Sequence, residues 1–309
     1  VDPFADVVDK GFGIRNFIPL KGLKTDAQYT LGMRDVNTTN NEDFNSHRAV
    51  LSSEAKFKTD TTISLREAFE VWNSQSDMFN FYDNTVELNV SQLIREDTKM
   101  QLSYKNEQKW FQNEAPEVQA RNFFYHQIGI DVNHSISSNF QAQLGYIYQP
   151  RTYNRRPMDF RGGEWVPLSG LQRDRQNIVY LGFHVFLFNN TYFTLLNQLV
   201  KSESNTRGFD FNGNRTQIIL LSTPLQKLSV KFTYQIVAYK LGVYQTPTMG
   251  YELSETRTDD QSGIRIGITY DISDKASLQV NYGHIANTVF FTKEFYKENT
   301  ASVGLKVRF

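Results

Sequence analysis

Apolar and polar residues alternate along most of this chain. In the stretch 263–272, Ile264, Ile266, Ile268, Tyr270 and Ile272 hold one parity, and Arg265, Gly267, Thr269 and Asp271 hold the other. In 227–239, Leu228, Val230, Phe232, Tyr234 and Ile236 oppose Ser229, Lys231, Thr233 and Gln235. In 139–149, Phe140, Ala142, Leu144, Tyr146 and Tyr148 oppose Gln141, Gln143, Gly145 and Gln149. Successive side chains of a strand point to opposite faces, so a period of two predicts strands with one apolar and one polar face. Helical spacing is not sustained, and the stretches are rich in Val, Ile, Thr, Tyr and Phe, which suit a pleated surface.

The pattern predicts strands near 24–35, 47–58, 61–73, 79–93, 98–112, 121–136, 139–150, 175–188, 191–203, 214–223, 227–240, 261–272, 275–288 and 297–309. That is about fourteen strands, each near or above the roughly 9–11 residues that cross a bilayer at a tilt. The pair beginning at 191 and 214 is the weakest, because "TLLNQLV" and "IILLS" are apolar on both parities. Links alternate in length. "KTDTT", "REDT", "SSN", "NN", "PLQK" and "SDK" are tight, whereas 36–46, 113–119, 151–174 and 241–260 are long. Short turns on one rim and long loops on the other are the layout of outer-membrane barrels, with the short turns periplasmic and the loops extracellular.

A soluble sandwich or barrel also alternates. Fourteen strands closed in water would enclose a wide cavity lined by Ile, Phe and Tyr with nothing to fill it. Sandwich strands are usually shorter, about 5–6 residues. Turning the apolar faces toward lipid and the polar faces toward a wet lumen removes the difficulty, and closure leaves no unpaired backbone edge. The expected fold is therefore an all-β, transmembrane up-and-down antiparallel barrel over 24–309. Residues 1–23, which alternate poorly, are expected to precede it as a periplasmic segment, plug or linker. About fourteen strands spaced ~4.8 Å and tilted ~40° give a backbone diameter of roughly 28 Å, wide enough for small polar solutes.

The chain ends on "NTASVGLKVRF". Ala301, Val303, Leu305, Val307 and Phe309 alternate with Ser302, Gly304, Lys306 and Arg308. This resembles the C-terminal strand of Gram-negative outer-membrane β-barrel proteins, and the hairpin rhythm extends the resemblance over most of the chain. The resemblance implies that Phe309 belongs to the signal read by the barrel assembly machinery. It also implies that the last strand pairs with the first to close the barrel, and that the protein resides in the outer membrane of a Gram-negative bacterium among lipid and lipopolysaccharide.

Composition narrows the function. The 33 basic and 33 acidic residues balance, which gives no electrostatic case for nucleic acid. Cysteine is absent, so disulfides, thiolate metal sites and a Cys nucleophile are excluded. No apolar run reaches the roughly 20 residues of a membrane helix. The start lacks the pattern of a signal peptide. No cofactor motif is evident.

Polar parity places Arg34, Glu54, Lys56, Arg66, Glu70, Glu87, Lys99, Lys105, Asp131, Lys231, Arg265, Asp271, Lys306 and Arg308 in the lumen. Their mixed signs either orient dipolar solutes or neutralise one another across the wall. Glu67 falls on the lipid parity, where an acid is costly. A β-bulge is the first expectation there, with a protein contact or protonation as alternatives. The segment 151–174 carries Arg151, Arg155, Arg156 and Arg161 with Trp165, and reads as a constriction loop or an extracellular cap.

Catalysis finds little support. His134 is followed by Ser135, Ser137 and Ser138, but at a short turn, the wrong rim for the outer-leaflet lipases and deacylases of this class. No HExxH or phosphate-loop motif occurs. The expectation is a non-enzymatic channel for small polar solutes. The alternative is the barrel component of an export or electron-transfer complex, holding a periplasmic or lumenal protein partner.

Overall fold

The computed structural model describes residues 7–20, 23–36, 44–74, 80–112, 122–161, 164–187, 190–206, 210–241, 258–289 and 294–307. The first half contains β1 (Val7–Leu20), β2 (Leu23–Val36), β3 (Phe44–Lys56), β4 (Thr61–Ser74), β5 (Phe81–Arg95), β6 (Thr98–Phe111), β7 (Phe123–Ser137) and β8 (Phe140–Tyr153). A small hairpin follows, β9 (Met158–Arg161) and β10 (Glu164–Pro167). The second half contains β11 (Gln172–Leu187), β12 (Thr191–Ser204), β13 (Phe211–Leu225), β14 (Leu228–Leu241), β15 (Thr258–Ser273), β16 (Ala276–Val289) and β17 (Glu294–Val307). Apart from β9 and β10, which pair only with each other, the strands form one 15-stranded sheet in which every strand pairs with its sequence neighbours.

Every neighbouring pair is antiparallel, so the connections alternate between two rims. Tight turns close one rim. Asp60 and Asn190 adopt positive φ there, 55° and 57°, a conformation that Asp and Asn tolerate best after glycine. Register shifts lie beside four of these turns, at Leu93/Arg95, Ser135/Ser137, Ser222/Leu225 and Asp271/Ser273. One extra residue at the end of a hairpin relieves the twist that a two-residue turn imposes.

Two sequence expectations change. Residues 7–20, expected ahead of the barrel, form β1 and pair with β2 from Val7↔Val36 to Leu20↔Leu23. Their alternation is poor, so the pairing is invisible in the pattern. The segment 151–174 is not one loop. Arg151 belongs to β8, Gln172 begins β11, and β9 and β10 fold between them.

The two faces differ in accessibility. Large apolar side chains on one parity are open, with Ile128 56% and Leu144 57% exposed. The polar parity is crowded; Asp131 is 8% and Tyr125 6% exposed. Side chains on the concave side of a curved sheet converge and shield one another, while those on the convex side splay. The polar face is therefore the inner one.

The outer apolar band has a marked upper edge. The Tyr29 hydroxyl and His47 Nδ1 are hydrogen-bonded at 2.6 Å, and Tyr104 and His126 Nδ1 at 2.7 Å. Tyr146 donates to Asn177 Oδ1 (2.6 Å) and Tyr282 to Asn299 Oδ1 (3.0 Å). In each case a tyrosine closing the apolar run reaches a His or Asn on the next strand, toward the long-loop rim. This is the amphipathic girdle expected where hydrocarbon meets headgroups.

Candidate functional site

The inner face carries the charges. On β3 to β7, Arg66 Nη1 pairs with Glu87 Oε2 at 3.2 Å, Lys105 Nζ with Glu107 Oε2 at 2.8 Å, and Arg48 Nε with Glu70 Oε2 at 3.9 Å. Register sets two of these pairs, and Lys105–Glu107 joins residues two apart on β6. Arg66 lies opposite Glu87, Glu87 opposite Lys105, and Glu70 opposite Arg48. Tyr125 donates to Glu107 Oε2 at 2.9 Å. Such pairs are partly solvated, so each contributes little to stability, but together they line a hydrated wall.

A second cluster spans β7, β8, β11 and β12. Asp131 accepts hydrogen bonds from Asn133 Nδ2, from Gln143 Nε2 (2.7 Å) and from the Tyr180 hydroxyl (2.8 Å). Gly145 makes the last contact feasible. It sits between Asp131 and Tyr180 in register, and a Cβ there would lie 2.2 Å from Tyr180 Cζ. Tyr180 therefore lies across a gap that only glycine leaves. His184 extends the network, with Nε2 3.1 Å from Gln143 Oε1 and Nδ1 within 3.0 Å of Thr194 Oγ1 and 2.8 Å of Tyr192. A buried carboxylate with three donors is well compensated and braces the wall.

The other sequence candidates sit apart from these clusters. Glu54 and Lys56 lie near the short-turn end of β3, and Lys99 near that end of β6. Lys231, Arg265 and Asp271 share the polar face of β14 and β15, where all three are exposed. Arg34 and Lys306 lie in β2 and β17, opposite Phe44 and Ser277. Arg308 and Phe309 lie outside the described residues.

Of the expected constriction residues, Arg151 is part of the wall, stacked among Phe123, Tyr125 and Tyr153. Arg155 anchors the loop base, donating from Nε to Gln172 Oε1 at 2.5 Å, while its carbonyl accepts from the Gln172 N–H at 2.7 Å. Arg156 is exposed, and Arg161 and Trp165 belong to β9 and β10. Gln172, only 1% exposed, is the pivot of this loop and was not among the sequence candidates. Arg48, Asp83, Glu107, Lys109 and Arg215 were also missed. In "YKNEQKW" polar residues occupy both parities, so alternation cannot separate Lys105, Glu107 and Lys109 from Asn106 and Gln108.

Below the girdle, within the apolar band of the outer face, Glu67 is a charged exception among the described residues. The expected bulge is absent: β4 runs in unbroken register, with Glu67 opposite Leu51 and Val86. Small neighbours provide room instead. Ala27 and Ala49, with Tyr29, Leu51 and Phe69, line a dent of about 640 Å³ around Glu67.

The histidines are dispersed. His47, His126 and His284 lie on the outer face at the girdle, each bonded to a Tyr or Asn. His134 is at the short-turn rim, with Nδ1 2.9 Å from Thr98 Oγ1 and 3.9 Å from Asp97 Oδ1. A hydrogen bond from Thr98, aided by the neighbouring His134, holds the Asp97 carboxyl below the usual aspartate range. Ser137 serves the turn, its Oγ accepting from the Asn139 N–H at 3.3 Å.

No family model and no curated protein sequence matches the chain. Solved structures match it in fold. Outer-membrane-expressed OmpT of Vibrio cholerae superposes with a TM-score of 0.50 at 9% identity, covering 94% of this chain and 99% of that one. CdiB from Acinetobacter baumannii gives 0.57 at 8% identity, covering 99% of this chain and 60% of that one. The ferric citrate transporter FecA gives 0.52 at 8% identity, covering 98% and 61%. The fold is that of the Gram-negative outer-membrane β-barrel proteins.

Proposed function

We propose that this chain forms a channel in the outer membrane of a Gram-negative bacterium, passing small polar solutes by diffusion and without catalysis. One observation carries the reading. The concave face is lined by charged and amide side chains from β3 through β15, while the convex face is apolar. Charges of both signs inside a lipid-embedded wall are stable only against water, so the interior is wet. The ion pair Arg66–Glu87 bridges β4 and β5, and Lys105–Glu107 lies along β6. They supply a local dipolar field rather than a net charge, which favours zwitterionic and neutral polar solutes over simple ions.

Purified protein in a planar lipid bilayer tests this. The channel reading expects discrete conductance steps that scale with salt concentration and show weak preference between cations and anions. A protein that inserts yet gives no steps contradicts it.

A further inference from the structure

Two register rows form the dent around Glu67. Tyr29, Ala49 and Phe69 make one row across β2, β3 and β4, and Ala27, Leu51 and Glu67 make the next row toward the short turns. All six side chains line the cavity. Ala49 sets its floor, a single methyl group between two rings. Strands spaced ~4.8 Å put those rings on strands about 10 Å apart, which leaves a slot for a hydrocarbon chain. Tyr29, Leu51 and Phe69 are 42%, 46% and 42% exposed, and Glu67 is exposed as well, so the slot opens toward lipid. Its walls are supported from behind. His47 Nδ1 holds the Tyr29 hydroxyl at 2.6 Å, and Phe69 stacks on Tyr82 with centroids 6.2 Å apart.

The slot contains an unanswered charge. On the inner face, Glu70, Glu87 and Glu107 each meet a cation. Glu67 makes no ion pair or hydrogen bond among the described residues. A divalent metal ion does not suit it, because one carboxylate among apolar groups cannot supply the several oxygens that Ca²⁺ or Mg²⁺ requires. An anionic headgroup is repelled. A second copy inserted in the same direction brings no cation to this depth. Between the girdle and the short turns, the outer parity of the described strands carries neither lysine nor arginine. The complement is a cation with its own hydrocarbon.

We infer that the dent binds a long-chain ammonium amphiphile taken up from the surrounding bilayer. Its stem lies on Ala49 between Tyr29 and Phe69, and its ammonium donates to the Glu67 carboxylate. Small-ligand sites are concave, mostly apolar and roughly 300–1,000 Å³, with a few polar groups that fix orientation. A dent of about 640 Å³ with one carboxylate has that form. A protein partner would instead be expected to use an extended surface, roughly 800 Å² on each side. Away from bulk water, a charge-assisted hydrogen bond is strong enough to select an amine over a neutral head. The site lies on the lipid side of the wall, so the inference is independent of conduction through the lumen.

Native mass spectrometry of the detergent-solubilised protein, with dodecylamine as the probe, tests this. One bound amine per chain is expected. Dodecanol, which has the stem without the charge, is expected to bind about tenfold more weakly. Glu67→Gln keeps the shape and is expected to weaken the amine by about the same factor, and Glu67→Asp to recover part of the loss. Ala49→Leu keeps the carboxylate but fills the slot, and is expected to abolish binding. Heat-modifiable migration on gels shows that the variants fold.

Equal binding of the amine to wild type and Glu67→Gln, or equal binding of amine and alcohol, overturns recognition of the charge. Undiminished binding by Ala49→Leu overturns the slot. Displacement of the amine by an equal concentration of phosphatidylethanolamine makes the occupant a bilayer lipid. Displacement by a leucine-rich peptide of roughly 20 residues with one lysine makes it a partner protein. Either displacement overturns the amphiphile.

Discussion

At the scale of single residues, two positions carry most of the consequence. Asp131 has little contact with water and depends on its donors. Tyr180→Phe removes one, and is expected to lower unfolding free energy by about 1–2 kcal/mol. Gly145→Val is expected to cost more, since its side chain would displace the Tyr180 ring altogether. Denaturant unfolding of the refolded protein in vesicles measures both; an unchanged midpoint for Gly145→Val contradicts the account. Glu67 behaves in the opposite sense. It sits in an apolar dent on the outer face with no described partner. Glu67→Leu is expected to stabilise the vesicle-embedded protein by about 1–2 kcal/mol, less than the cost of a basic residue at midplane. A destabilised Glu67→Leu variant would show that Glu67 has a partner of its own in the membrane.

At the scale of elements, the turns and the first strand make separate claims. Asn190 occupies the left-handed region in the turn between β11 and β12. Asn190→Val is expected to lose about 1–2 kcal/mol and Asn190→Gly almost nothing, by the same unfolding measurement. Strand β1 raises a question of parity. Fourteen antiparallel steps separate it from β17, so the two run in the same direction. A contact between β17 and β2 would instead be antiparallel, the arrangement of even-stranded bacterial barrels. Deleting residues 1–22 is therefore expected to leave a chain that inserts, resists protease and retains heat-modifiable migration. Loss of all three would make β1 an integral stave.

At the scale of the whole molecule, the meander was legible in the sequence because lipid and water press on opposite faces of every strand. Where that pressure is absent, the pattern failed. Strand β1 has apolar residues on both parities in "GFGIRNFIPL" and was read as a leading segment. Asn106 and Gln108 lie outward but beyond the Tyr104–His126 girdle, in polar surroundings, so they broke the alternation that would have revealed Glu107 and Lys109. The charged character of the inner wall was readable from parity, but its partnerships were not. Asp131 meets Tyr180 across 49 residues of sequence, through a register that only the folded sheet specifies.

The absence of cysteine provides a clean background for testing which face meets lipid. Single cysteines placed along β16, at Leu278, Gln279, Val280 and Asn281, alternate between the two faces. In intact proteoliposomes, a charged, membrane-impermeant maleimide is expected to label Gln279→Cys and Asn281→Cys quickly and to spare Leu278→Cys and Val280→Cys, which react with a lipid-soluble reagent instead. Labelling of Leu278→Cys and Val280→Cys by the charged reagent, with the other two protected, would invert the barrel and contradict the account.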